Sequence, residues 1–500
     1  LYTNTTGEKN TAIGYQSMYA NTSGEYNAAI GTDSLRANTT GEQNVALGHN
    51  SLFNNTFGNG QVAAGYKSLF NNTTGNYNVG LGAYNLEFNT IGSCNVGIGY
   101  QSLNKNTTAS FNVAVGYQAL ACNTTGIKNV GMGFESLRQN TTGQKNVALG
   151  NQALRTNTTG KQNVAIGLSA MYSNTGGDDN VAIGTNVLVF NTTGLQNVAI
   201  GTAAMFHNTT GKYNVSIGKS ALQNNTIGDN NVALGTTALY TNTTGIRNVG
   251  IGFDALRLNT TGQKNVAMGN ATLYNNTTGV ENIALGDAAM YFNTIGLRNV
   301  AIGRQALVNN TTGSYNVALG YESLYSNTTG QYNVALGYDA MKCNTTGEFN
   351  VAVGYTALCS NTIGCQNVAI GYESMALNTT GSFNTAVGRQ ALRNNTIGRY
   401  NVAMGYSALR PNTTGEYNVA IGYQSMANNV TGIRNTAVGY QALLSNKAND
   451  NVAIGINTLY SNTTGNSNVS VGYSTMYANT TGSFNVAVGL QSLASNTTGQ

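Results

Sequence analysis

The chain has 500 residues, among them 63 Gly, a single Pro and no Trp, and only 8% of its residues are charged. Low charge and scarce Pro do not fit a disordered chain, and Gly without a three-residue period is not collagen. The net charge of +5 comes from scattered Lys and Arg, whereas a groove that binds nucleic acid needs clustered ones. No run of about 18 apolar residues occurs, so the sequence predicts no membrane span.

A 17-residue period organises the chain. Numbered from the Asn of Asn-Val-Ala-Ile-Gly, repeats start at Asn10, Asn27 and Asn44 and continue at this spacing to Asn435, with Gln61 the one substitution at position 1. One repeat lacks a residue in its second half, at 444–450, and the frame resumes at Asn451. We interpret 1–500 as one continuous array. Because it starts and stops inside a repeat, we expect it to be a segment of a longer chain.

The repeat predicts strands. Position 2 is nearly always Val, position 4 is a large apolar residue and position 3 is Ala, Gly or Ser, which indicates a strand with positions 2 and 4 facing inward. Leu or Met at position 9 would join them from a second short strand over positions 7 to 10. The predicted core includes Val45, Leu47, Leu52, Val164, Ile166, Val317, Leu319 and Leu324.

The predicted fold is an all-β parallel β-solenoid, a β-roll or β-helix with one repeat per coil and about 29 coils. Two fixed Gly per repeat disfavour a helix, and the period is too short for helical-pair or propeller repeats. At about 4.8 Å per coil the array would be a rod of roughly 140 Å. Gly at positions 5 and 15 should supply positive φ or close backbone approach at the corners. Asn at position 12 should bond from coil to coil, and the turn should absorb the missing residue at 444–450.

The small residues at position 3 require a close neighbour. This stripe, exemplified by Ala46, Ala165 and Ala318, could pack against the chain's own opposite wall or against another chain. A stripe of this kind is what a tight homo-oligomer axis needs. Self-association, as a homotrimer or a filament, and a single-chain solenoid both stay open.

The repeat wording resembles known fibres. Asn10-Thr-Ala-Ile-Gly-Tyr-Gln-Ser-Met18 and Asn435-Thr-Ala-Val-Gly-Tyr-Gln-Ala-Leu443 resemble the repeat regions of phage and giant-virus tail-fibre-like proteins and bacterial surface fibre proteins. They are also similar to the heads of trimeric autotransporter adhesins, in which such coils form a left-handed parallel β-roll in a homotrimer. The resemblance implies a left-handed solenoid at a cell surface or a virion surface.

The position-12 turns also spell N-glycosylation acceptors, Asn-x-Ser/Thr. The alternative is that Asn and Thr serve only the turn. Ile and Phe replace Thr at position 14 in several coils, which we interpret as a side chain pointing partly inward, while Asn54, Asn224 and Asn394 restore an acceptor one residue earlier. The candidate glycan sites are Asn4, Asn38, Asn72, Asn123, Asn140, Asn157, Asn191, Asn242, Asn259, Asn344, Asn462 and Asn479.

The remaining reactive residues do not form a catalytic pattern. Five Cys occur without metal-binding spacing; Cys359 and Cys365 flank one turn and could pair, or all five could be unpaired surface thiols. The two His lie at variable positions far apart, so we expect no enzyme, cofactor or metal. Tyr columns could bind sugars or simply cover the strand edge.

The sequence therefore predicts a structural extracellular fibre, filament or stalk. The alternative is an adhesin or virion fibre shaft that binds host matrix or glycans through its variable positions. A concentration of aromatic or charged residues on one edge would favour the adhesin, and the variable positions look evenly spread. A minor alternative is ice binding, for which the adjacent Thr at positions 13 and 14 would offer only one outward row.

Overall fold

The computed structural model describes residues 2–499, which form a parallel β-solenoid with one three-residue strand per repeat. No helix occurs within residues 2–499. The chain divides into two units, Leu1–Asn248 and Val249–Gln500, and each is a stack of coils. These observations confirm the predicted fold class and the 17-residue coil.

The first unit contains strands β1 Thr11–Ile13, β2 Ala28–Ile30, β3 Val45–Leu47, β4 Val62–Ala64, β5 Val79–Leu81, β6 Val96–Ile98, β7 Val113–Val115, β8 Val130–Met132, β9 Val147–Leu149, β10 Val164–Ile166, β11 Val181–Ile183, β12 Val198–Ile200, β13 Val215–Ile217 and β14 Val232–Leu234. The second contains β15 Val249–Ile251, β16 Val266–Met268, β17 Ile283–Leu285, β18 Val300–Ile302, β19 Val317–Leu319, β20 Val334–Leu336, β21 Val351–Val353, β22 Val368–Ile370, β23 Thr385–Val387, β24 Val402–Met404, β25 Val419–Ile421, β26 Thr436–Val438, β27 Val452–Ile454, β28 Val469–Val471 and β29 Val486–Val488.

Within each unit every strand pairs in parallel with the strand of the next repeat, position 2 against position 2. Val164 of β10 pairs with Val181 of β11, for example. The short repeat keeps this register, because Thr436 of β26 pairs with Val452 of β27. Its turn carries the deletion: the Ala448 carbonyl accepts the Asn446 side-chain amide at 2.9 Å, as the position-15 Gly does elsewhere. The prediction that the turn absorbs the missing residue is confirmed.

The interior of the coil differs from the prediction. Leu52 and Leu324 at position 9 are fully buried, as expected. The position-3 residues are buried as well, since Ala46, Ala165 and Ala318 have no exposed surface. Positions 2 and 4 point outward instead. The six remaining predicted core residues are therefore wrongly placed: Leu47 is 40% exposed, and the five half-buried ones are Val45, Val164, Ile166, Val317 and Leu319.

The physical reason is the thinness of the coil. A Cβ atom on Gly80, at position 3, would lie 2.5 Å from Ser68 Oγ and 3.4 Å from Leu69 Cγ, at positions 8 and 9 of the preceding coil. The opposite wall is therefore in direct contact with position 3, and only a small side chain fits. Position 9 supplies the main large apolar side chain of the interior, joined in one coil by Val187 at position 8. The close neighbour required by the small stripe is the chain's own opposite wall.

Positions 7 to 10 form a turn and not the predicted second strand. Asn50 at position 7 and Leu52 at position 9 have φ of 58° and 49°, in the left-handed region, and the same positions repeat this conformation along the chain. Within the turn the Ser51 N–H donates to the Gly48 carbonyl at 3.3 Å. The Leu52 N–H donates to the Ser68 carbonyl of the next coil at 2.9 Å.

The two glycine positions act as predicted. Gly31 at position 5 has φ +136°, and a Cβ atom there would lie 2.6 Å from the Gly48 carbonyl oxygen. Gly41 at position 15 has no special φ, but its Cβ would lie 2.6 Å from the Gly58 carbonyl oxygen. Both positions bring backbones of successive coils together more closely than any side chain permits.

Candidate functional site

Two ladders of buried Asn side chains join successive coils. In the coil that starts at Asn299, the Gly313 carbonyl accepts the Asn299 amide at 2.8 Å and the Asn310 amide at 2.9 Å. Asn310 Nδ2 also donates to Asn293 Oδ1 of the preceding coil at 2.8 Å, and Asn310 Oδ1 accepts from Asn327 of the next coil at 2.9 Å. The side chain therefore links three coils, and the predicted amide ladder at position 12 is confirmed.

The same bonds exclude a glycan on these residues in the folded coil. A glycan would be attached to the amide nitrogen, which here donates two buried hydrogen bonds. Asn4 alone among the candidates is exposed, and its Nδ2 still donates to the Gly7 carbonyl at 2.9 Å. Eleven candidate sites are thus corrected to structural ladder residues with no exposed surface: Asn38, Asn72, Asn123, Asn140, Asn157, Asn191, Asn242, Asn259, Asn344, Asn462 and Asn479.

The position-12 ladder has one interruption in the second unit. The Oδ1 atoms of Asn412 and Asn429 are buried and have no hydrogen-bond partner. Asn446 lies in the shortened turn, and the ladder resumes from it, because Asn462 Nδ2 donates to Asn446 Oδ1 at 2.8 Å. The interruption therefore coincides with the coils around the one-residue deletion.

The outward side chains of positions 2 and 4 form a surface in each unit that is apolar except at Thr11, Thr385 and Thr436, and we call it the outer strand face. None of the 29 strands contains a charged residue. Met268 is 42% exposed and Ile217 is 41% exposed. The position-4 side chains that are at least 36% exposed are Ile13, Ile30, Leu47, Ile98, Met132, Ile217, Met268, Ile302, Ile370, Met404, Ile421, Ile454 and Val488.

Stacked aromatic rings border this face at positions 6 and 17. Adjacent rings lie 4.9 to 5.5 Å apart between centroids. Four of the five stacks lie between 315 and 440, so the aromatic residues are less evenly spread than the sequence suggested. The stacks are Tyr100–Tyr117–Phe134, Tyr321–Tyr338–Tyr355–Tyr372 and Tyr406–Tyr423–Tyr440 at position 6, and Tyr315–Tyr332–Phe349 and Phe383–Tyr400–Tyr417 at position 17.

The threonine columns differ in accessibility. Thr294 at position 13 is half-buried, and its hydroxyl donates to the Thr311 carbonyl of the next coil at 3.0 Å. Position 14 is exposed, and Ile227 there is 54% exposed. The interpretation that position 14 points partly inward is therefore wrong. Only position 14 offers a row of outward hydroxyls, and Ile interrupts it.

Charged side chains pair across neighbouring coils at positions 7 and 10. Glu135 is nearly buried, and its carboxylate accepts from Arg155 at 2.7 Å and from Gln152 at 3.1 Å. Burial raises the pKa of Glu135, but these bonds and the positive charge of Arg155 outweigh it, so the net pKa is lowered. Lys342 likewise contacts Glu322 at 2.6 Å and Asp339 at 3.3 Å. These residues neutralise one another along one edge.

All five cysteines are free thiols, which is the second of the two alternatives considered from the sequence. Cys359 lies against Cys343 of the preceding coil, and the Cys343 N–H donates to the Cys359 carbonyl at 2.9 Å. Cys365 instead donates its thiol to the Ile363 carbonyl at 3.2 Å. Within residues 2–499 no group of three His, Cys, Asp or Glu side chains could hold a metal ion. The same residues include no helix long and apolar enough to cross a membrane.

Two comparisons with known proteins identify no relative of this chain. No protein-family model matches the chain, and a search of curated proteins finds no similar sequence.

Proposed function

We propose that this chain is a non-catalytic structural rod of an extracellular fibre, filament or stalk, at a cell surface or a virion surface, and that copies associate through the outer strand face. Within each unit the backbone joins each coil to the next, and two amide ladders reinforce this except at the interruption around Asn412 and Asn429, which gives a stack its rigidity. The regular coil, repeated with almost no change, supports a mechanical role. The resemblance to surface and tail fibres is part of this proposal.

One observation carries the self-association: positions 2 and 4 are almost entirely apolar although their side chains do not fill the coil interior. Outward positions such as 10, 16 and 17 vary freely and include charges, whereas no strand does. Exposed apolar surface on this scale marks an interface. The unit Leu1–Asn248 has strands β1 to β14. At about 4.8 Å per coil and roughly 10 Å across each strand, its face covers roughly 700 Å², close to the ~800 Å² per partner of a stable interface.

A second copy of the same chain is the partner that fits this surface. Its side chains repeat at the same coil spacing, so the ridges of two faces can interdigitate along their whole length. Because this face carries no charged residue, two copies can bury it in an interface without leaving an unpaired charge. The number of copies, two face to face or three around an axis, is what the experiment measures.

The test is sedimentation of the full chain. Ile200→Lys with Ile217→Lys places two charges on the outer strand face. Thr210→Lys with Ile227→Lys places two charges on exposed position 14 of the same coils. We expect the wild type and the position-14 control to sediment as an oligomer. The position-4 variant should sediment as a monomer with an unchanged circular dichroism spectrum. A monomeric wild type, or a position-4 variant that stays oligomeric, would overturn the proposal.

The aromatic stacks between 315 and 440 favour a second candidate function, an adhesin shaft that binds matrix or glycans. Stacked rings cover one another's faces, so they present edges and hydroxyl groups in rows. Binding of the full chain to a glycan and matrix-protein array tests it. Tyr338→Ser with Tyr355→Ser should abolish binding, whereas Tyr274→Ser with Tyr291→Ser, a stack at position 10, should not. Equal loss in both variants, or no binding by the wild type, would reject this function.

A further inference from the structure

Cys343 and Cys359 occupy a pair of positions whose side chains meet across successive coils. Cys343 is at position 11 of one coil and Cys359 is at position 10 of the next. The same pair of positions holds Phe190 and Phe206, whose ring centroids lie 5.1 Å apart. The backbone bond of 2.9 Å from Cys343 N to the Cys359 carbonyl places the two Cα atoms roughly 5 Å apart. This is within the range that a disulfide spans.

The two thiols are also chemically unequal. Cys343 is exposed and Cys359 is half-buried. The neighbouring Cys359 thiol and the positive charge of Lys342 favour the Cys343 thiolate, so the pKa of Cys343 falls to about 6 although burial opposes the change. The same contact raises the pKa of Cys359. The lowered pKa increases the thiolate fraction of Cys343, and the thiolate is the form that attacks a disulfide.

We propose that Cys343 and Cys359 are a reversible redox clip that joins two adjacent coils by a disulfide, formed by exchange with a small-molecule disulfide such as oxidised glutathione. The Cys343 thiolate attacks one sulfur of that reagent. The reagent's S–S bond breaks, one glutathione thiolate leaves and a mixed disulfide remains on Cys343. Cys359 then loses its proton to water and attacks the Cys343 sulfur, which releases the second glutathione thiolate. Two protein thiols are oxidised and one oxidised glutathione is reduced to two thiols.

The clip adds a covalent bond to a stack that is otherwise held by hydrogen bonds. Cys122 provides an internal comparison, because it also lies at position 11 but its N–H donates to the carbonyl of Arg138 in the next coil. No second thiol occupies that neighbouring position. The inference does not depend on the proposed fibre role, since it rests on two side chains of one chain.

The experiment treats the full chain with oxidised glutathione at pH 7.5, blocks free thiols, denatures the protein and digests it with a protease that cleaves after Glu. Cleavage after Glu322, Glu348 and Glu373 separates Cys343 from Cys359. We expect the peptides 323–348 and 349–373 to remain joined until a reductant is added. Before oxidation, Cys343 should react with a chromogenic disulfide at pH 7 about tenfold faster than Cys122.

Cys359→Ser separates the possible outcomes, because the second peptide also contains Cys365. The joined peptides should disappear in Cys359→Ser and persist in Cys365→Ser. Unlinked peptides in the wild type, a link between Cys359 and Cys365, or a link that survives Cys359→Ser would each overturn the clip.

Discussion

The adjacent residues Asn309 and Asn310 allow the buried ladder to be tested within one turn. Asn310→Ala removes three side-chain hydrogen bonds and leaves Asn293 Oδ1 buried without the donor it has at 2.8 Å. A stranded buried acceptor costs about 1–3 kcal/mol, and each lost hydrogen bond contributes about 1 kcal/mol. Since the Gly313 carbonyl keeps its bond from Asn299, we expect a local destabilisation of about 3 kcal/mol.

The matched control is Asn309→Ala. Asn309 is half-buried at position 11, and its backbone N–H bond to the Tyr325 carbonyl at 3.1 Å does not depend on the side chain. Global unfolding is a poor measure in a repeat array, because each coil interacts only with its neighbours. Hydrogen exchange of peptides that cover 299–327 reports the local free energy of opening.

About 3 kcal/mol corresponds to roughly 100-fold faster exchange. We expect Asn310→Ala to show this acceleration in its own coil and in the two neighbouring coils. Asn309→Ala should stay within about tenfold of the wild type. Equal exchange rates in the two variants would refute the conclusion that the buried amides hold the coils together.

Three further predictions concern the coil geometry and its charges, each measured by hydrogen exchange of the surrounding coils. Leu324→Ile places a β-branched residue at φ 51° and should lower the free energy of local opening by about 2–3 kcal/mol, more than an ordinary substitution between core residues. Leu319→Ile on the outer strand face should be nearly neutral. Equal losses of stability in the two variants would refute the role of φ. Ala318→Leu should destabilise by about 3 kcal/mol through overpacking and Val317→Leu should not; no difference between them would show that position 3 has room. Glu135 has a lowered pKa in the folded chain, so the stability it contributes is present above its ordinary pKa and is lost as the pH falls through the folded pKa. Glu135→Gln should therefore destabilise the coil by about 2 kcal/mol at pH 7 and not at all in strong acid. A stability difference between wild type and variant that does not depend on pH would contradict an origin in the Glu135 charge.

Much of the fold follows from the repeat alone. The 17-residue frame predicted the parallel register, the Gly corners and the position-12 ladder, because each depends on residue identity at a fixed spacing. The facing of the strand could not be read in the same way. Alternation at positions 2, 3 and 4 distinguishes two faces but does not say which is inside. Large apolar residues usually indicate the core, yet Ala46 is inside and Leu47 is outside, because the coil is too thin for both walls to carry large side chains.

The left-handed residues had a signal in the sequence that was missed. Position 9 is always Leu or Met, and position 17, which also has positive φ in residues such as Gln43 and Lys264, never has Val, Ile or Thr. Position 16 beside it accepts Ile127 and Ile246. A left-handed φ disfavours β-branched side chains, although left-handed position 7 accepts Thr at Thr237 and Thr356. The contrast between the neighbouring positions 16 and 17, which otherwise vary equally, could therefore have identified position 17 as left-handed.

The contact between Cys343 and Cys359 could not be placed from sequence. It depends on which side chains of neighbouring coils meet diagonally, here from position 11 to position 10. Predicting such a contact requires the path of the turn over positions 7 to 10, where the sequence analysis had placed a second strand.

In-register stacking also has a genetic consequence. Each coil contacts its neighbours through the same positions, so the loss or duplication of one complete repeat in the coding sequence joins two coils that already match. Recombination between such repeats would change the length of the array without creating a new fold. An in-frame insertion or deletion shorter than a whole repeat is tolerated where the turn can absorb it. The coil around Asn446 shows the effect, because its strands keep their register while the amide ladder is interrupted for two coils.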